Sequence, residues 1–258
     1  MKRTITLALL LFWAGVTSCT VLIAHSEPSS DPAATFETFV DWCRNRDSLS
    51  PKAQHTVTLL LEKAETQQCG RAARKLARLT RLGLWDRGVI DVAPLASLIN
   101  LTELSLWGHE IEDVAPLARL TNLTKLVLGS NRIVDISPLA DLTNLTELSL
   151  YENEIVDVSP MANLPHLTKL AIGDNQIVEV APLASLTNLT WLSLDSNQIA
   201  DVTPLANLKS LTELYLTYNQ IEDVAALSTL THLSVLSLVG NPIRDSTCPV
   251  QPETICQF

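Results

Sequence analysis

Leucine returns at one constant interval along most of this chain. The repeating leucines are Leu79, Leu101, Leu123, Leu145, Leu167, Leu189, Leu211 and Leu233, and no insertion interrupts their spacing. Within each unit the period of the apolar positions changes. Residues 147–151 alternate between polar and apolar, which predicts a short strand with Leu148 and Leu150 pointing inward. Because one unit cannot bury its own leucines, the pattern predicts eight stacked units that share one core.

The ninth position of the unit is occupied by an asparagine in the last six units. These residues are Asn131, Asn153, Asn175, Asn197, Asn219 and Asn241. The chain turns out of the strand here, so its backbone groups would be buried. An asparagine side chain has donors and an acceptor, and we expect each one to bond to the backbone of its own and the adjacent unit. Arg87 and His109 take this position in the first two units, which we interpret as structural irregularity near the end of a stack.

Proline occupies the sixteenth position of six units and usually follows a small residue such as Ser137, Ser159 or Thr203. This pattern predicts a short helical turn whose free amides donate to the serine or threonine hydroxyl. The helical side of each unit should be wider than the strand side. We therefore expect the stack to curve, with its strands on the concave face.

The whole unit, Leu-x-x-Leu-x-Leu-x-x-Asn-x-Ile-x-Asp-Ile/Val-x-Pro-Leu, resembles the 22-residue leucine-rich repeat of bacterial internalins over residues 79–245. The resemblance implies an α/β fold, a curved solenoid with parallel strands on the concave face and short 3-10 or α turns on the convex face. It also implies protein binding, often at a cell surface. We find neither the wall-sorting motif nor the immunoglobulin-like domain that often follows internalin repeats, so no particular receptor is implied.

Residues 1–24 have the order of an export signal, because Lys2 and Arg3 precede an apolar run over residues 5–16. Three outcomes stay open. Cys19 closes a lipoprotein-like box and would carry a lipid, or the chain would be cleaved near Ala24, or the segment would remain as a membrane anchor. Each outcome places the repeats outside the cytoplasm, in the cell envelope, at the surface, in the periplasm or secreted. Residues 25–34 then predict a flexible spacer.

Two capping segments flank the repeats. Residues 35–78 predict a helical cap with helices from about Thr35 and from Ser50, and residues 246–258 predict a closing cap. Four cysteines remain once Cys19 is set aside: Cys43, Cys69, Cys248 and Cys256. Pairing within each end avoids folding the stack back on itself, so we predict that Cys43 bonds to Cys69 and Cys248 to Cys256. The alternative is four buried free thiols.

Charge is distributed unevenly along the chain. Up to Arg87 there are 12 basic and 8 acidic residues, a net +4, and from Gly88 onward 6 basic and 20 acidic residues, a net −14. The acidic repeats disfavour nucleic acid, whose binding depends on neutralising phosphates, and would attract a basic partner surface.

Aromatic residues collect on the outward positions of the predicted strands. They are Trp85, Trp107, Tyr151, Trp191, Tyr215 and Tyr218. The core does not need them, and exposed Trp and Tyr are the residues that most often anchor interfaces. We interpret them as a partner-binding site on the concave face, beside open floor at Gly129 and Gly173. The alternative is stacking between neighbouring units.

Two further ladders carry charge. The third position of the unit alternates in sign from Arg81 to Lys169, and we interpret this row as mutually neutralising pairs. The thirteenth position is acidic in all eight units, from Asp91 to Asp245. Calcium binding is one explanation, but an aspartate that enters a turn more often accepts backbone amides, so we predict no metal.

The sequence shows no catalytic triad with supporting context, no metal-ligand spacing and no cofactor-binding loop. We therefore predict a non-enzymatic, monomeric binding module of the cell envelope that needs no cofactor and recognises a protein. A membrane would be contacted only through the N-terminal lipid or anchor. A glycan-binding surface protein and a structural envelope spacer are the two alternatives.

Overall fold

The chain builds a helical cap, a stack of parallel coils and a short closing segment. The computed structural model describes residues 36–85 and 87–258, which belong to one compact unit. The predicted signal, the Cys19 lipid site and the spacer over residues 25–34 lie outside the described residues.

Three helices form the N-terminal cap: α1 (Phe39–Arg44), α2 (Pro51–Lys63) and α3 (Cys69–Leu76). Helix α1 begins after Thr38, whose hydroxyl and Asp41 form a reciprocal capping box, so it starts a few residues later than predicted. Helix α2 begins after Ser50 as expected, and the hydroxyl of Ser50 accepts from the amide of Ala53 at 3.2 Å.

The sequence did not predict helix α3, because no side chain caps its first turn. Burial holds it in place instead: Ala72 and Leu76 pack fully into the core. The disulfide from Cys43 in α1 to Cys69, the first residue of α3, fixes it further, with the two Cα atoms 5.5 Å apart.

Eight three-residue strands follow, one from each repeat. They are β1 (Arg81–Gly83), β2 (Glu103–Ser105), β3 (Lys125–Val127), β4 (Glu147–Ser149), β5 (Lys169–Ala171), β6 (Trp191–Ser193), β7 (Glu213–Tyr215) and β8 (Val235–Ser237). Each pairs in parallel with the next, and equivalent positions face each other, as in Leu126 opposite Leu148. The constant repeat length produces this register, since each coil adds the same stretch of chain.

The second to seventh coils each contribute seven apolar side chains to the core. In the fourth coil they are Leu145, Leu148, Leu150, Ile155, Val158, Met161 and Leu164, all exposed by 2% or less. These layers continue without a break from the cap helices to the closing segment. The predicted curved leucine-rich-repeat solenoid is confirmed.

A five-residue 3-10 turn forms the outer side of seven coils. These turns are Ala93–Ser97, Ala115–Arg119, Ser137–Asp141, Ser159–Asn163, Ala181–Ser185, Thr203–Asn207 and Ala225–Thr229. The prediction that serine or threonine caps them is wrong. The thirteenth-position aspartate does so, as when Asp135 Oδ1 accepts from the amide of Ser137 at 2.8 Å. Ser137 is itself the first residue of its turn, so the Ser137 amide is one of the groups that needs a hydrogen-bond acceptor.

A ninth strand, β9 (Cys256–Gln257), extends the sheet beyond the last repeat. It pairs in parallel with β8, opposite Leu236 and Ser237. The Cys248–Cys256 disulfide ties this strand to the preceding loop, which confirms the predicted disulfide cap. The closing segment thus covers an edge that would otherwise expose a strand and the leucines of the last layer.

Candidate functional site

The concave face carries a trough that runs across strands β3 to β6. A cavity of about 260 Å³ lies in it. Its floor is formed by the fifth-position residues Val127, Ser149 and Ala171, which are small and mostly apolar. The third-position residues Lys125, Glu147, Lys169 and Trp191 form the wall on one side of the floor. The seventh-position residues lie two residues beyond the floor position of each coil, on the opposite side from the third position, and we call this row the seventh-position wall.

The third-position wall is a row of alternating charges that ends at a tryptophan. Lys125 Nζ lies 2.7 Å from Glu147 Oε2, and Lys169 Nζ lies 3.9 Å from Glu147 Oε1. The hydrogen bond from Lys125 holds the pKa of Glu147 below its usual value. Trp191 continues the row and lines the cavity. The charges neutralise one another as predicted, so this wall is charged but nearly balanced.

The seventh-position wall is aromatic. Trp107 and Tyr151 are exposed by 44% and 40%. Each ring leans over the glycine of the next coil: a Cβ atom on Gly129 would stand 2.9 Å from Trp107 Cδ1, and one on Gly173 would stand 3.3 Å from Tyr151 Cδ2. The prediction that these glycines are open floor beside the rings is therefore wrong. They are the surfaces on which the rings lie.

Acidic side chains border the aromatic wall. Hydrogen bonding to the Asp174 carboxylate, with a smaller contribution from burial, raises the pKa of Tyr151 to about 12. Glu152 follows Tyr151 and accepts from the hydroxyl of Ser130 at 2.5 Å. Asp195 is a structural residue instead, because it accepts from both the amide and the hydroxyl of Thr217, at 2.8 and 2.6 Å.

Among the remaining aromatic residues, Trp191 lines the trough, whereas Tyr215 and Tyr218 lie beyond it. Trp191 and Tyr215 form a half-buried pair with ring centroids 5.6 Å apart, and the Tyr215 hydroxyl donates to Glu213. That hydrogen bond raises the pKa of Tyr215. Tyr218 is 65% exposed and packs against Gly240. Stacking between neighbouring units, the alternative interpretation, therefore applies to Trp191 and Tyr215. Trp107 and Tyr151 remain exposed to solvent.

Trp85 lies at the N-terminal end of the same face, 65% exposed, and its indole donates to the Ser105 hydroxyl at 2.7 Å. It lines a second cavity of about 510 Å³ with Lys63 and Arg81. Both cavities include Lys125 and Val127. The face from Trp85 to Trp191 is therefore one continuous depression.

The ninth-position asparagines support this face from below. Asn153 Nδ2 donates to the carbonyl oxygens of Leu128 and Leu150, both at 3.0 Å, and its Oδ1 accepts from the amide of Ile133 at 3.0 Å. The other five asparagines repeat these contacts. His109 bonds to the carbonyl of Leu84 in the equivalent way.

The carboxylates at the acidic thirteenth position form hydrogen bonds with the backbone. Seven of its aspartates accept from the amide two residues later, at 2.8–2.9 Å. The amide of Ser137, followed by its hydroxyl, lowers the pKa of Asp135. The hydroxyls of Thr203 and Thr247, followed by their amides, lower the pKa of Asp201 and Asp245. Within residues 36–85 and 87–258, no group of three or more His, Cys, Asp or Glu side chains is placed to hold a metal ion.

Two comparisons relate this architecture to known proteins. The family profile described as leucine-rich repeats in two copies matches residues 121–163, 143–185, 165–207, 187–229 and 209–248. The crystal structure of internalin C2 from Listeria monocytogenes is 30% identical, with a TM-score of 0.68, over 88% of this chain and 92% of that chain. The chain belongs to the internalin-like family of bacterial leucine-rich-repeat proteins.

A second Listeria monocytogenes structure, an internalin F, is 45% identical to this internalin-like chain, with a TM-score of 0.60 over 61% of it. The matched part spans about half, 47%, of that chain. The ectodomain of the Arabidopsis thaliana receptor kinase GASSHO1/SCHENGEN3 is 25% identical, with a TM-score of 0.57, over 65% of this chain and 22% of that chain. No curated protein sequence matches.

The two disulfides and the similarity to internalins indicate an extracellular or secreted protein. Of the helices in the described residues, none combines the length and apolar character needed to cross a bilayer. The small fifth-position floor is the part of the site that sequence reasoning missed. Its signal is visible in the sequence as the row Gly83, Ser105, Val127, Ser149, Ala171 and Ser193.

Proposed function

We propose that this internalin-like protein is a non-enzymatic binding module that holds a protein partner in the concave trough. One observation carries the proposal: Trp107 and Tyr151 are 44% and 40% exposed, and each comes two residues after a fifth-position residue, Ser105 or Ser149, that lines a cavity of the concave face. Exposed tryptophan and tyrosine beside a concave surface are the residues that most often anchor protein interfaces. Leucine-rich-repeat proteins are typically interaction modules, which agrees with this assignment.

The trough's chemistry defines the kind of partner surface. Its floor is apolar, its third-position wall is nearly neutral, and its aromatic wall is bordered by Glu152 and Asp174. The repeats as a whole carry a net charge of −14 from Gly88 onward. A partner segment with apolar side chains for the floor and basic side chains for the aromatic, acidic edge would satisfy both features.

One structural neighbour gives an example of such a use of the fold. The GASSHO1/SCHENGEN3 ectodomain was solved in complex with CASPARIAN STRIP INTEGRITY FACTOR 2. For this chain we propose protein recognition on the same kind of scaffold, by a monomer exported to the cell envelope or surface. The domain boundaries, export signal and lipid attachment at Cys19 stay predictions from the sequence.

Photocrosslinking tests the proposal directly. A benzoylphenylalanine at Ser149, on the trough floor, should form a protein adduct with the native partner, whereas the same residue at Arg119, on a 3-10 turn, should not. Adding Trp107→Ala and Tyr151→Ala to the Ser149 probe should abolish the adduct. Equal adducts from both probe positions would contradict the proposal. A glycan-array signal lost in Trp107→Ala, with no protein adduct, would assign the trough to glycans instead.

A further inference from the structure

Helix α3 carries a face of cationic side chains on the surface of the cap. Residues 66–81 contain five arginines and lysines and no acidic residue. At about 100° per residue, Arg71, Arg74 and Lys75 fall within an arc of about 100° on the helix. All three are exposed, while Ala72 and Leu76 on the opposite side are buried. Arg78, in the turn that follows α3, is also exposed.

Few carboxylates neutralise this basic face. Lys75 Nζ lies 3.8 Å from Glu65. Within the described part of the chain, Arg71, Arg74 and Arg78 form no ion pair with any carboxylate. Three guanidinium groups are therefore available to an external anion, on a protein whose repeats are strongly acidic.

The stability of α3 does not explain this arrangement. Cations stabilise the C-terminal turn of a helix, which accounts for Arg74 and Lys75. Arg71 lies in the first turn instead, where the positive end of the helix dipole disfavours a cation. That turn holds no acidic residue and has no side-chain cap. The Cys43–Cys69 disulfide and the buried Ala72 and Leu76 hold the helix in spite of this charge.

The basic face also lies close to where the chain enters the cap. Helix α1 is the first described helix, and its Cys43 is bonded to the first residue of α3. The predicted membrane-associated segment ends at about Ala24, and the 14 residues 25–38 separate it from the start of α1 at Phe39. A lipid at Cys19 or a retained anchor would hold α3 within reach of the bilayer, so that even weak contacts would be effective.

We propose that the basic face of α3, formed by Arg71, Arg74, Lys75 and Arg78, docks on the anionic phospholipid headgroups of a membrane. Guanidinium groups form paired hydrogen bonds with phosphate, and basic side chains near an anionic bilayer each add to the attraction. The acidic repeats are repelled by the same surface. Docking through the cap therefore determines that the N-terminal end of the solenoid, and not its acidic repeats, meets the membrane.

Vesicle cosedimentation tests this proposal with a chain of residues 32–258, which comprises the compact unit and lacks the predicted anchor. We expect binding at low salt to vesicles with about one third phosphatidylglycerol, none to phosphatidylcholine vesicles, and release in high salt. The variant Arg71→Gln/Arg74→Gln/Arg78→Gln should bind on the order of 100-fold more weakly. Circular dichroism should show that this variant stays folded, since all three side chains are exposed.

The control variant Arg119→Gln/Arg132→Gln/Lys209→Gln removes the same charge from exposed sites on the repeats. It should bind as the native protein does. The proposal is overturned if the native protein does not bind phosphatidylglycerol vesicles at low salt, if both triple variants lose equal affinity, or if only a soluble polyanion such as heparin binds. Trp107→Ala/Tyr151→Ala should retain vesicle binding, so this test is independent of the concave site.

Discussion

The indole ring of Trp107 lies against the backbone of Gly129 on the next coil, where an added Cβ atom would stand 2.9 Å from its Cδ1. The same Cβ atom would stand 3.1 Å from the carbonyl oxygen of Tyr151. The missing side chain of Gly129 thus allows the ring to lie across two coils. The position of the Trp107 ring therefore depends on a residue that has no side chain.

Gly129→Ala should therefore both destabilise the fold and move the ring. Overpacking against the rigid Tyr151 carbonyl should lower the free energy of unfolding by about 1–3 kcal/mol. The matched control is Gly70→Ala in helix α3, where the added Cβ atom meets only Arg74 at 3.8 Å. There alanine should stabilise the protein by up to about 1 kcal/mol. Urea unfolding measures the free energy of unfolding of both variants. If it changes in the same direction in both, the close packing of Trp107 on Gly129 is contradicted.

Asn153→Ala should cost far more than a similar change at the surface. The substitution leaves the Ile133 amide without a partner, and a buried unsatisfied group costs about 1–3 kcal/mol. It also removes one of two donors from the Leu128 and Leu150 carbonyls, which keep their bonds from Asn131 and Asn175. We expect a loss of about 2 kcal/mol or more. Asn144→Ala removes one exposed bond to Thr121 and should cost about 1 kcal/mol or less. Equal losses in chemical unfolding would show that the ladder does not stabilise the stack.

Tyr151 should resist ionisation until about pH 12, because its hydrogen bond to Asp174 favours the neutral phenol. The folded pKa lies above the ordinary value of 10.0, so the stability from this contact is fully present below pH 10 and is lost as the pH rises towards 12. Ultraviolet difference titration of the native protein against Tyr151→Phe isolates this phenol. Asp174→Asn should shift the midpoint downward, and an unchanged midpoint would exclude the contact.

The sequence predicted those parts of the molecule that follow from repetition. A constant repeat length determines which side chains stack, so the strand register, the buried leucines and the contacts of residues such as Asn153 all follow from one unit. The caps are not repeated and were predicted less well. Helix α3 lacks a capping side chain, and β9 is too short to show an alternating pattern.

Within the site, the sequence predicted that the aromatic residues lie on the concave face. It did not predict the orientation of their rings. Strand periodicity gives the face of a residue, whereas the direction in which Trp107 or Tyr151 leans depends on the space above Gly129 and Gly173. The turn caps show the same limit. Ser137 and Asp135 both carry an oxygen that could cap the turn. The position of the Ser137 amide determines that the aspartate is the residue that accepts from it.

The central role of the trough is tested most directly by the dissociation constant of the protein that the benzoylphenylalanine probe at Ser149 captures. Against the folded native protein, Trp107→Ala/Tyr151→Ala should weaken binding at least about 30-fold, since two anchor residues together contribute about 2 kcal/mol or more. Val134→Ala/Val156→Ala removes two exposed side chains outside the trough and should leave the constant within about threefold of native. A folded Trp107→Ala/Tyr151→Ala variant that binds as tightly as the native protein would contradict the account.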